Sequence, residues 1–306
     1  MRTAGRTPQV CVVLKRSSWR KWVEEEGDSH IVNLLEAGDE TVQRMRPGHI
    51  AHVETVEEVR SALAELGANV LWNDRPHEFT TDDVGDRCDL VVTVGGDGTL
   101  LGASHGIGGC VPLLGVNSAP EYSIGFFCAA KKGGVRAAIA AALDGSLERT
   151  ELTRMCVDLN GRRLLNRVLN EALFCHSCPA ATSRYILRIE EGAGGAQEEH
   201  KSSGLWVGPA AGSTAAQRSA GGSVLPLTSS SLQYVVREPY RPNGEPPRMR
   251  MGLVGESNVL SIKSRMRQAR VFLDGEHLVH DVTIGDVVTM KRSDEPLIVL
   301  GLTRSA

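Results

Sequence analysis

The clearest local signal in this sequence is the stretch Leu90-Val-Val-Thr-Val-Gly-Gly-Asp-Gly-Thr-Leu-Leu101. Its first five residues predict a short buried strand, and the leucines at its end open a segment of helical composition. A strand that breaks on glycines and enters a helix leaves backbone N–H groups at the helix N-terminus, where they can bind an anion. Gly95, Gly96 and Gly98 lack the Cβ that would keep a phosphate group at a distance. The stretch therefore predicts a phosphate site.

Asp97 is the unexpected residue of this loop, because a carboxylate beside phosphate groups is repulsive unless it has a chemical task. It could accept the proton of a hydroxyl group or hold a metal–phosphate complex. The structural alternative is a strand–turn–helix corner in which Asp97 caps the helix N-terminus. The loop alone leaves both interpretations open.

The composition is typical of an enzyme with two domains. The 306 residues are enough for two separate cores. The 34 Lys and Arg residues nearly balance the 37 Asp and Glu residues, so the overall charge favours neither nucleic acid nor an anionic membrane as a partner. No apolar run approaches the roughly 20 residues that a membrane-spanning helix needs. The basic N-terminus lacks the apolar segment of a secretory signal.

The seven cysteines are scattered along the chain and favour a reducing compartment with free thiols. We therefore expect a cytoplasmic protein. Cys175-His-Ser-Cys178 has the spacing of a metal-binding pair, but no second pair accompanies it. We expect no metal ion held by the protein's own side chains.

The N-terminal half alternates predicted strands with predicted helices. Short apolar runs at Gln9–Leu14 and Val70–Trp72 predict strands of a buried parallel sheet, as does Val111–Val116. Apolar residues recur at helical spacing from Val53 to Leu66, and Gly67 ends that helix. This order predicts an open parallel α/β sheet. Ligands of such sheets bind beyond the carboxyl ends of the strands, which is where the glycine loop falls.

After a helix that ends at Gly145, the pattern changes to alternating strands and hairpin turns. Asn160-Gly161 and Asp274-Gly275 are both strong hairpin signals. The composition of Gly192–Glu199 and of Pro239–Pro247 predicts loops. The second half is therefore expected to be mostly antiparallel β-structure.

These patterns predict an α/β N-terminal domain with an open parallel sheet, followed by a mostly antiparallel β C-terminal domain. We place the N-terminal domain at residues 1–147 and the β domain at residues 148–292. Residues 293–306 form a C-terminal tail, which we expect to return to the N-terminal domain.

Asn170-Glu171 lies in the apolar run Val168–Phe174. An ionised Glu in such a run is costly to bury unless a group donates hydrogen bonds to it. A ribose diol is such a donor, because its hydroxyls can bind both carboxylate oxygens, and Asn170 could add amide contacts. The alternative is a strand end at which both side chains face solvent, and the sequence favours neither.

The segment Gly212-Ser-Thr-Ala-Ala-Gln-Arg-Ser-Ala-Gly-Gly222 combines small residues with a helix-breaking pair of glycines. Ser213 or Thr214 can cap a short helix, and the small side chains allow a flat ring to approach the backbone. Alone, the segment is a weak indication of ligand binding. The indication is stronger because the segment occurs in the same chain as the glycine loop and the Asn-Glu pair.

Taken in order, the three segments resemble the NAD kinase family. The family is marked by a GGDGT loop, an Asn-Glu pair, and a GSTA segment that runs into Ala-Gly-Gly. Similarity extends to the strand Pro112–Val116 with Asn117, and to Gly125-Phe126 after it. The GGDGT loop alone is shared with lipid kinases and phosphofructokinases, whereas the set of three is specific.

The resemblance implies ATP-dependent phosphorylation of the 2′-hydroxyl on the adenosine ribose of NAD, which yields NADP. It implies Asp97 as the general base, and Mg²⁺ that arrives with ATP. Family members are usually homodimers or tetramers, so we expect a homo-oligomer. The residues that it implies for nucleotide binding are Gly95, Gly96, Gly98, Thr99, Phe126, Asn170, Glu171, Thr214, Ala215 and Ser219.

Two positions depart from the usual bacterial pattern of the family. Ser203 stands where many members have Asp, and Ala216 stands where they have Tyr. Lys201–Leu205 and Asn117–Glu121 instead resemble the branch that contains the animal mitochondrial NAD kinase. The departures leave a second interpretation open, a catalytically weak sensor of NAD(P)(H) derived from a kinase. A third is a lipid-type kinase that shares the GGDGT loop.

Overall fold

The computed structural model describes residues 6–80, 88–192, 194–240, 244–245 and 247–302. The chain divides into two compact units. The first runs to Thr150 and also includes the segment from Ile298, and the second spans Glu151–Leu297. No helix in the described part of the chain has the length and apolar character that crossing a membrane requires.

The described residues form both helices and strands, which are numbered here in chain order. The α-helices are α1 (Ser29–Glu36), α2 (Met45–Glu65), α3 (Asp97–Ser104), α4 (Val135–Asp144) and α5 (Ala216–Ser219). Shorter or irregular helical segments are Arg20–Glu25, Pro76–Glu78 and Ala210–Thr214. The strands are β1 (Gln9–Leu14), β2 (Asn69–Asn73), β3 (Leu90–Gly95), β4 (Leu113–Asn117), β5 (Cys128–Lys131), β6 (Arg149–Leu152), β7 (Met155–Leu159), β8 (Arg162–Val168), β9 (Ala172–His176), β10 (Ser183–Glu191), β11 (Gly194–Ser202), β12 (Gly204–Gly208), β13 (Leu232–Arg237), β14 (Met251–Val254), β15 (Val259–Ser264), β16 (Ala269–Leu273), β17 (Leu278–Val282), β18 (Val287–Arg292) and β19 (Leu297–Leu300).

The sheet of the first unit has the strand order β2-β1-β3-β4-β19-β6, with β5 also paired to β4. The pairings of β1 with β2 and β3, and of β4 with β3, β5 and β19, are parallel. Every residue of β3 and β4 is buried, as their Val- and Leu-rich sequences predict for central parallel strands. The predicted open parallel α/β sheet is confirmed.

Helices α2 and α4 bury apolar residues in the core of the first unit. Val59 and Leu63 from α2 join Ile139 from α4 and Val92 from β3 in one apolar cluster. The spacing of these residues brings them to one helix face, as the periodicity predicts. Helix α2 is longer than the sequence pattern indicates, because it begins at Met45 rather than near residue 53.

The second unit consists of two six-stranded sheets. One has the order β11-β10-β15-β18-β7-β8, and the other has the order β14-β13-β12-β9-β16-β17. The pairings recorded within both sheets are antiparallel. Asn160 and Gly161 join β7 to β8 with φ of 51° and 78°, which is the backbone that this dipeptide favours in a two-residue turn. The predicted antiparallel β-structure is confirmed.

The prediction of a loop at Gly192–Glu199 is wrong, because residues 194–202 form β11 and pair along their length with β10. Glycine weakens a strand, but the hairpin supplies a complete ladder of backbone hydrogen bonds. A Cβ at Gly195 would lie 2.5 Å from the carbonyl oxygen of Ile189, so glycine is required at this point. Part of the other predicted loop, residues 241–243 and 246, lies outside the described residues.

Candidate functional site

The glycine loop joins β3 directly to α3 in the first unit. Gly96 occupies the N-cap position of α3 with extended backbone angles, φ −117° and ψ −165°. No side chain of the described residues caps this helix, and the N–H of Thr99 already donates to the carbonyl oxygen of Gly96 at 3.0 Å. The N–H groups of Asp97 and Gly98 are therefore the ones left for a ligand. The strand-to-helix transition that the sequence predicts is therefore present at the carboxyl end of a central parallel strand.

The three glycines of the loop meet different constraints. A Cβ at Gly95 would lie 2.1 Å from Thr99 Oγ1, and one at Gly96 would lie 2.5 Å from Ser123 Oγ. Packing within the protein therefore explains these two glycines. At Gly98, which is exposed, no described atom outside its own helix and its chain neighbours lies within 4 Å of the position that a Cβ would take. This open space leaves room for a phosphate group against the backbone.

The Asp97 carboxylate is held by the backbone of a neighbouring loop. Its Oδ2 accepts the N–H of Phe126 at 2.9 Å, and its Oδ1 accepts the N–H of Phe127 at 2.9 Å. The alternative in which Asp97 caps α3 is wrong, because Gly96 is the capping residue. Hydrogen bonds from two N–H groups fix the positions of both carboxylate oxygens.

The loop that holds Asp97 is itself shaped by Asn117. The Asn117 side-chain amide donates to the carbonyl oxygen of Ser123 at 3.0 Å. Gly125 packs against this amide with φ of 60°, and a Cβ there would lie 2.3 Å from Asn117 Nδ2. Phe126, which the family resemblance implies for ligand binding, therefore contributes its backbone N–H to the position of Asp97.

Asn170 and Glu171 lie in the second unit, in the connection between β8 and β9. Their backbone N–H groups both donate to Asp274 Oδ1, at 2.7 and 3.0 Å. The N–H of Leu169 donates to Asp274 Oδ2 at 2.7 Å. One carboxylate thus orders three successive peptide groups.

Two side-chain oxygens at this position are buried without a hydrogen-bond donor. Asn170 Oδ1 and Glu171 Oε2 have no partner among the described residues. The pKa of Glu171 is raised to about 8, first by burial and then by the negative charge of Asp274. The alternative in which both side chains face solvent is therefore wrong. A buried acceptor without a donor is costly, so the pair is suited to a ligand that brings hydroxyl groups.

The GSTA segment packs against the Asn-Glu pair within the second unit. A Cβ at Gly208 or Gly212 would lie 2.2 or 1.8 Å from the carbonyl oxygen of Asn170, so both glycines allow a close approach. The Gln217 side chain contacts the same oxygen at 3.5 Å. The structure therefore brings two of the three sequence motifs together.

The remaining residues predicted from this segment differ in exposure. Thr214 and Ala215 are half-buried, whereas Ser219 is exposed at the end of α5. Neither Ser213 nor Thr214 caps α5, because the N-cap position belongs to Ala215. Ser213 Oγ instead donates to the Ala210 carbonyl oxygen at 2.7 Å and accepts the Leu225 N–H at 3.0 Å.

Comparison with known proteins identifies the group to which this architecture belongs. Residues 6–146 match the family model of the ATP-NAD kinase N-terminal domain. A probable NADH kinase of Oryza sativa subsp. japonica is 36% identical over 266 residues, which cover 81% of this chain and 80% of that protein. This chain belongs to the NAD kinase family. An NADH kinase of Arabidopsis thaliana is also 36% identical, over 69% of this chain and 71% of its own length.

Solved structures of the family share the fold at low sequence identity. An NAD kinase from Archaeoglobus fulgidus, solved in complex with ATP, has a TM-score of 0.68 and 19% identity, and the match covers 95% of this chain and 92% of that one. Yeast NADH kinase, solved in complex with NADH, has a TM-score of 0.67 and 16% identity, and the match covers 98% of this chain and 85% of that one. The family resemblance inferred from the three motifs is confirmed.

Sequence analysis missed two kinds of supporting residue. In the sequence Asp274 indicates only a hairpin turn, whereas in the structure its carboxylate orders the Asn-Glu pair. Gln233 Nε2 donates to Gln217 Oε1 at 3.2 Å, which links α5 to β13. A polar Gln inside the apolar run Leu232–Val236 was the available signal, because buried polar groups require partners.

Proposed function

We propose that this protein is an NAD kinase, which transfers the γ-phosphoryl group of Mg-ATP to the 2′-hydroxyl on the adenosine ribose of NAD and yields NADP. The observation that carries this proposal is the pair of buried oxygens, Asn170 Oδ1 and Glu171 Oε2, for which the described part of the chain offers no donor. A ribose supplies neighbouring hydroxyl groups that can donate to both. Membership of the NAD kinase family supports the same substrate class.

Asp97 is the proposed general base. In the transfer step, the ribose oxygen forms a bond to the γ-phosphorus as the bond from that phosphorus to the leaving oxygen of ADP breaks. The hydroxyl proton passes to an Asp97 oxygen. A carboxylate is a weak base towards an alcohol, but the transition state of phosphoryl transfer is loose, so positioning supplies most of the acceleration. The two N–H groups that hold Asp97 support this positioning role.

The remaining predicted residues are assigned by their surroundings. Gly98 and the uncapped N-terminus of α3 would bind phosphate, with Gly95, Gly96 and Thr99 maintaining the loop. Asn170 and Glu171 would bind ribose hydroxyls, and Thr214 and Ala215 would contact the dinucleotide. Ser219 is assigned to the dinucleotide only through the family motif.

Magnesium is assigned to the nucleotide rather than to a protein cage. The described residues hold no group of three or more His, Cys, Asp or Glu side chains that could bind a metal ion. Mg²⁺ is commonly held by substrate phosphates, water and one or two carboxylates. The open backbone at Gly98 fits a metal–nucleotide complex held mainly through its phosphates. The ion would neutralise charge on the transferring phosphoryl group.

A coupled assay tests the proposal. Purified protein is incubated with Mg-ATP and either NAD or NADH, and the 2′-phosphorylated product is measured by an NADP-specific dehydrogenase. Both acceptors are included because the two plant relatives are named as NADH kinases. The proposal is supported if the wild-type protein forms this product and the Asp97→Asn variant does not. Binding of NAD without product would support the sensor alternative, and turnover of a diacylglycerol or sphingoid base instead would support the lipid-kinase alternative.

We also infer that the protein is a cytoplasmic homo-oligomer, a dimer or tetramer. The cysteines are all free thiols, which suits a reducing compartment. Light scattering after size-exclusion chromatography tests the oligomeric state, and a monomer at micromolar concentration would contradict it.

A further inference from the structure

Lys15 lies beside the glycine loop at the carboxyl end of β1. Its backbone N–H donates to the carbonyl oxygen of Val94 at 2.9 Å, which continues the pairing of β1 with β3. A Cβ at Gly95 would lie 3.0 Å from Lys15 Cβ. The Cβ of Lys15 therefore lies next to Gly95, the first glycine of the loop.

The Lys15 side chain is half-buried. No carboxylate within the described ranges pairs with it, and burial lowers its pKa. The nearby Arg20, by contrast, forms ion pairs with Asp74 at 2.7 Å and with Glu25 at 2.9 Å. A partly desolvated cation without a counter-charge is costly, so its surroundings are suited to an anion supplied from outside.

His52, which is buried on α2, lies close to Lys15. Its Nδ1 lies 3.0 Å from Ser118 Oγ, and Ser118 N–H donates to the carbonyl oxygen of Gly95 at 2.9 Å. Burial, followed by the positive charge of Lys15, lowers the pKa of His52 to about 4. His52 is therefore neutral at pH 7 and adds no positive charge beside Lys15. A hydrogen bond between the His52 ring and the Lys15 backbone completes a chain of contacts that runs through Ser118 to the glycine loop.

We propose that Lys15 binds the phosphate chain of the phosphoryl donor at the glycine loop. This inference rests on the proposed kinase function. The donor is favoured over NAD because a triphosphate carries more negative charge than the diphosphate of NAD, and a fixed cation beside a phosphoryl group stabilises the charge that shifts during transfer. The group that Lys15 recognises is a linear polyphosphate, which either a nucleoside triphosphate or an inorganic polyphosphate can supply.

The test measures binding directly, without turnover. ATP, inorganic tripolyphosphate and NAD are titrated separately by calorimetry into the wild-type protein and into Lys15→Met, Lys15→Gln and Lys15→Arg. Lys21→Met is the matched control, because Lys21 is an exposed lysine a few residues along the chain. We expect both neutral variants to bind ATP and tripolyphosphate at least about tenfold more weakly, the effect of one lost charge-assisted contact. The NAD affinity should stay within about twofold, and Lys15→Arg should retain most of the ATP affinity.

Steady-state kinetics provide a second readout. In the neutral variants the KM for ATP should rise while the KM for NAD stays constant, a split that a general loss of structure would not produce. The inference would be overturned if the neutral variants kept the ATP affinity of the wild type, or if they lost affinity for NAD as much as for ATP. It would also be overturned if they bound ATP more weakly but tripolyphosphate equally well, or if the wild type bound no triphosphate. A wild-type protein that binds triphosphate through Lys15 but forms no NADP would instead overturn the proposed function and leave this inference standing.

Discussion

Two hydrogen bonds join Asp274 to the backbone of Glu171, while the charge of Asp274 disfavours the ionised form of the Glu171 side chain. The N–H of Asp274 donates to the carbonyl oxygen of Glu171 at 2.9 Å, and Asp274 Oδ1 accepts the N–H of Glu171 at 3.0 Å. Burial raises the pKa of Glu171 to about 8, and the charge of Asp274 contributes to that shift. Glu171 is therefore mostly protonated at pH 7 in the free protein.

The first prediction is that the free protein loses stability as pH rises. The pKa of Glu171 is higher in the folded protein than its ordinary value of 4.5, so the folded state binds more protons than the unfolded state between about pH 4.5 and pH 8. The contribution of Glu171 to stability is most favourable below pH 4.5 and is lost as pH rises through about 8. Because the side chain is partly accessible, we expect about 1–3 kcal/mol.

Urea unfolding at pH 5.5 and pH 8.5 checks this prediction. Glu171→Gln serves as the comparison, because it keeps the shape and cannot ionise. The wild type should lose more stability than Glu171→Gln between the two pH values. Parallel pH profiles for the two proteins would show that Glu171 does not titrate in this range.

The second prediction is that binding of NAD releases protons. Hydroxyl donors from the ribose stabilise the ionised form of Glu171, so its pKa falls when the ligand binds. Calorimetric titrations at pH 7 in buffers of different ionisation enthalpy should give a release that approaches about one proton. Glu171→Gln should abolish most of the release and weaken NAD binding by about 1–3 kcal/mol, with the KM for ATP little changed. Proton uptake on binding, or a changed KM for ATP alone, would contradict the assignment.

The third prediction is that Asp97→Asn lowers turnover by at least about 10²-fold, the range for loss of a general base. NAD should still bind. The substitution also places an amide NH₂ against one of the N–H groups of Phe126 and Phe127, so a small decrease in Tm is expected. Near-normal turnover in the purified variant would exclude Asp97 as the base.

The fourth prediction separates the glycines of the loop. Gly98→Ala should fold with equal or slightly higher stability, because the added Cβ meets no described atom beyond its own helix within 4 Å and alanine favours a helix by about 0.5–1 kcal/mol. Its KM for ATP should nevertheless rise, since the methyl group occupies the space proposed for phosphate. Gly95→Ala is the contrasting variant and should lower the Tm, because its Cβ would clash with Thr99 Oγ1. Wild-type kinetics in Gly98→Ala would remove this position from the phosphate site.

Local sequence signals predicted the parts of this protein that depend on neighbouring residues. The transition from β3 to α3 follows from a Val-rich run and glycines that are adjacent in the chain, and Asn160-Gly161 specifies its own turn. The partners that complete the candidate site are distant in sequence. Asp97 is held by residues about thirty positions later, and Glu171 by Asp274, more than a hundred positions later.

The same distinction explains the error at β11. Its glycines and polar residues have low strand propensity, and the strand forms because β10 offers a full set of backbone partners. Local propensity cannot report a pairing that tertiary structure supplies. The buried oxygens of Asn170 and Glu171 were likewise beyond prediction, because their surroundings are built from β12, the GSTA segment and Asp274 together.

The position of β19 in the sheet of the first unit has a consequence for biosynthesis. Val299 pairs with Leu113, although the whole second unit is translated between them. At about 5–20 residues per second, the ribosome needs roughly 10–40 s to synthesise the chain from Leu113 to Val299. During that interval the nascent chain carries a hydrophobic parallel strand, β4, whose edge is covered by β5 only from Gly115 to Asn117. A chaperone that binds nascent chains would thus find its substrate in the N-terminal unit, long after that unit's own helices have been synthesised.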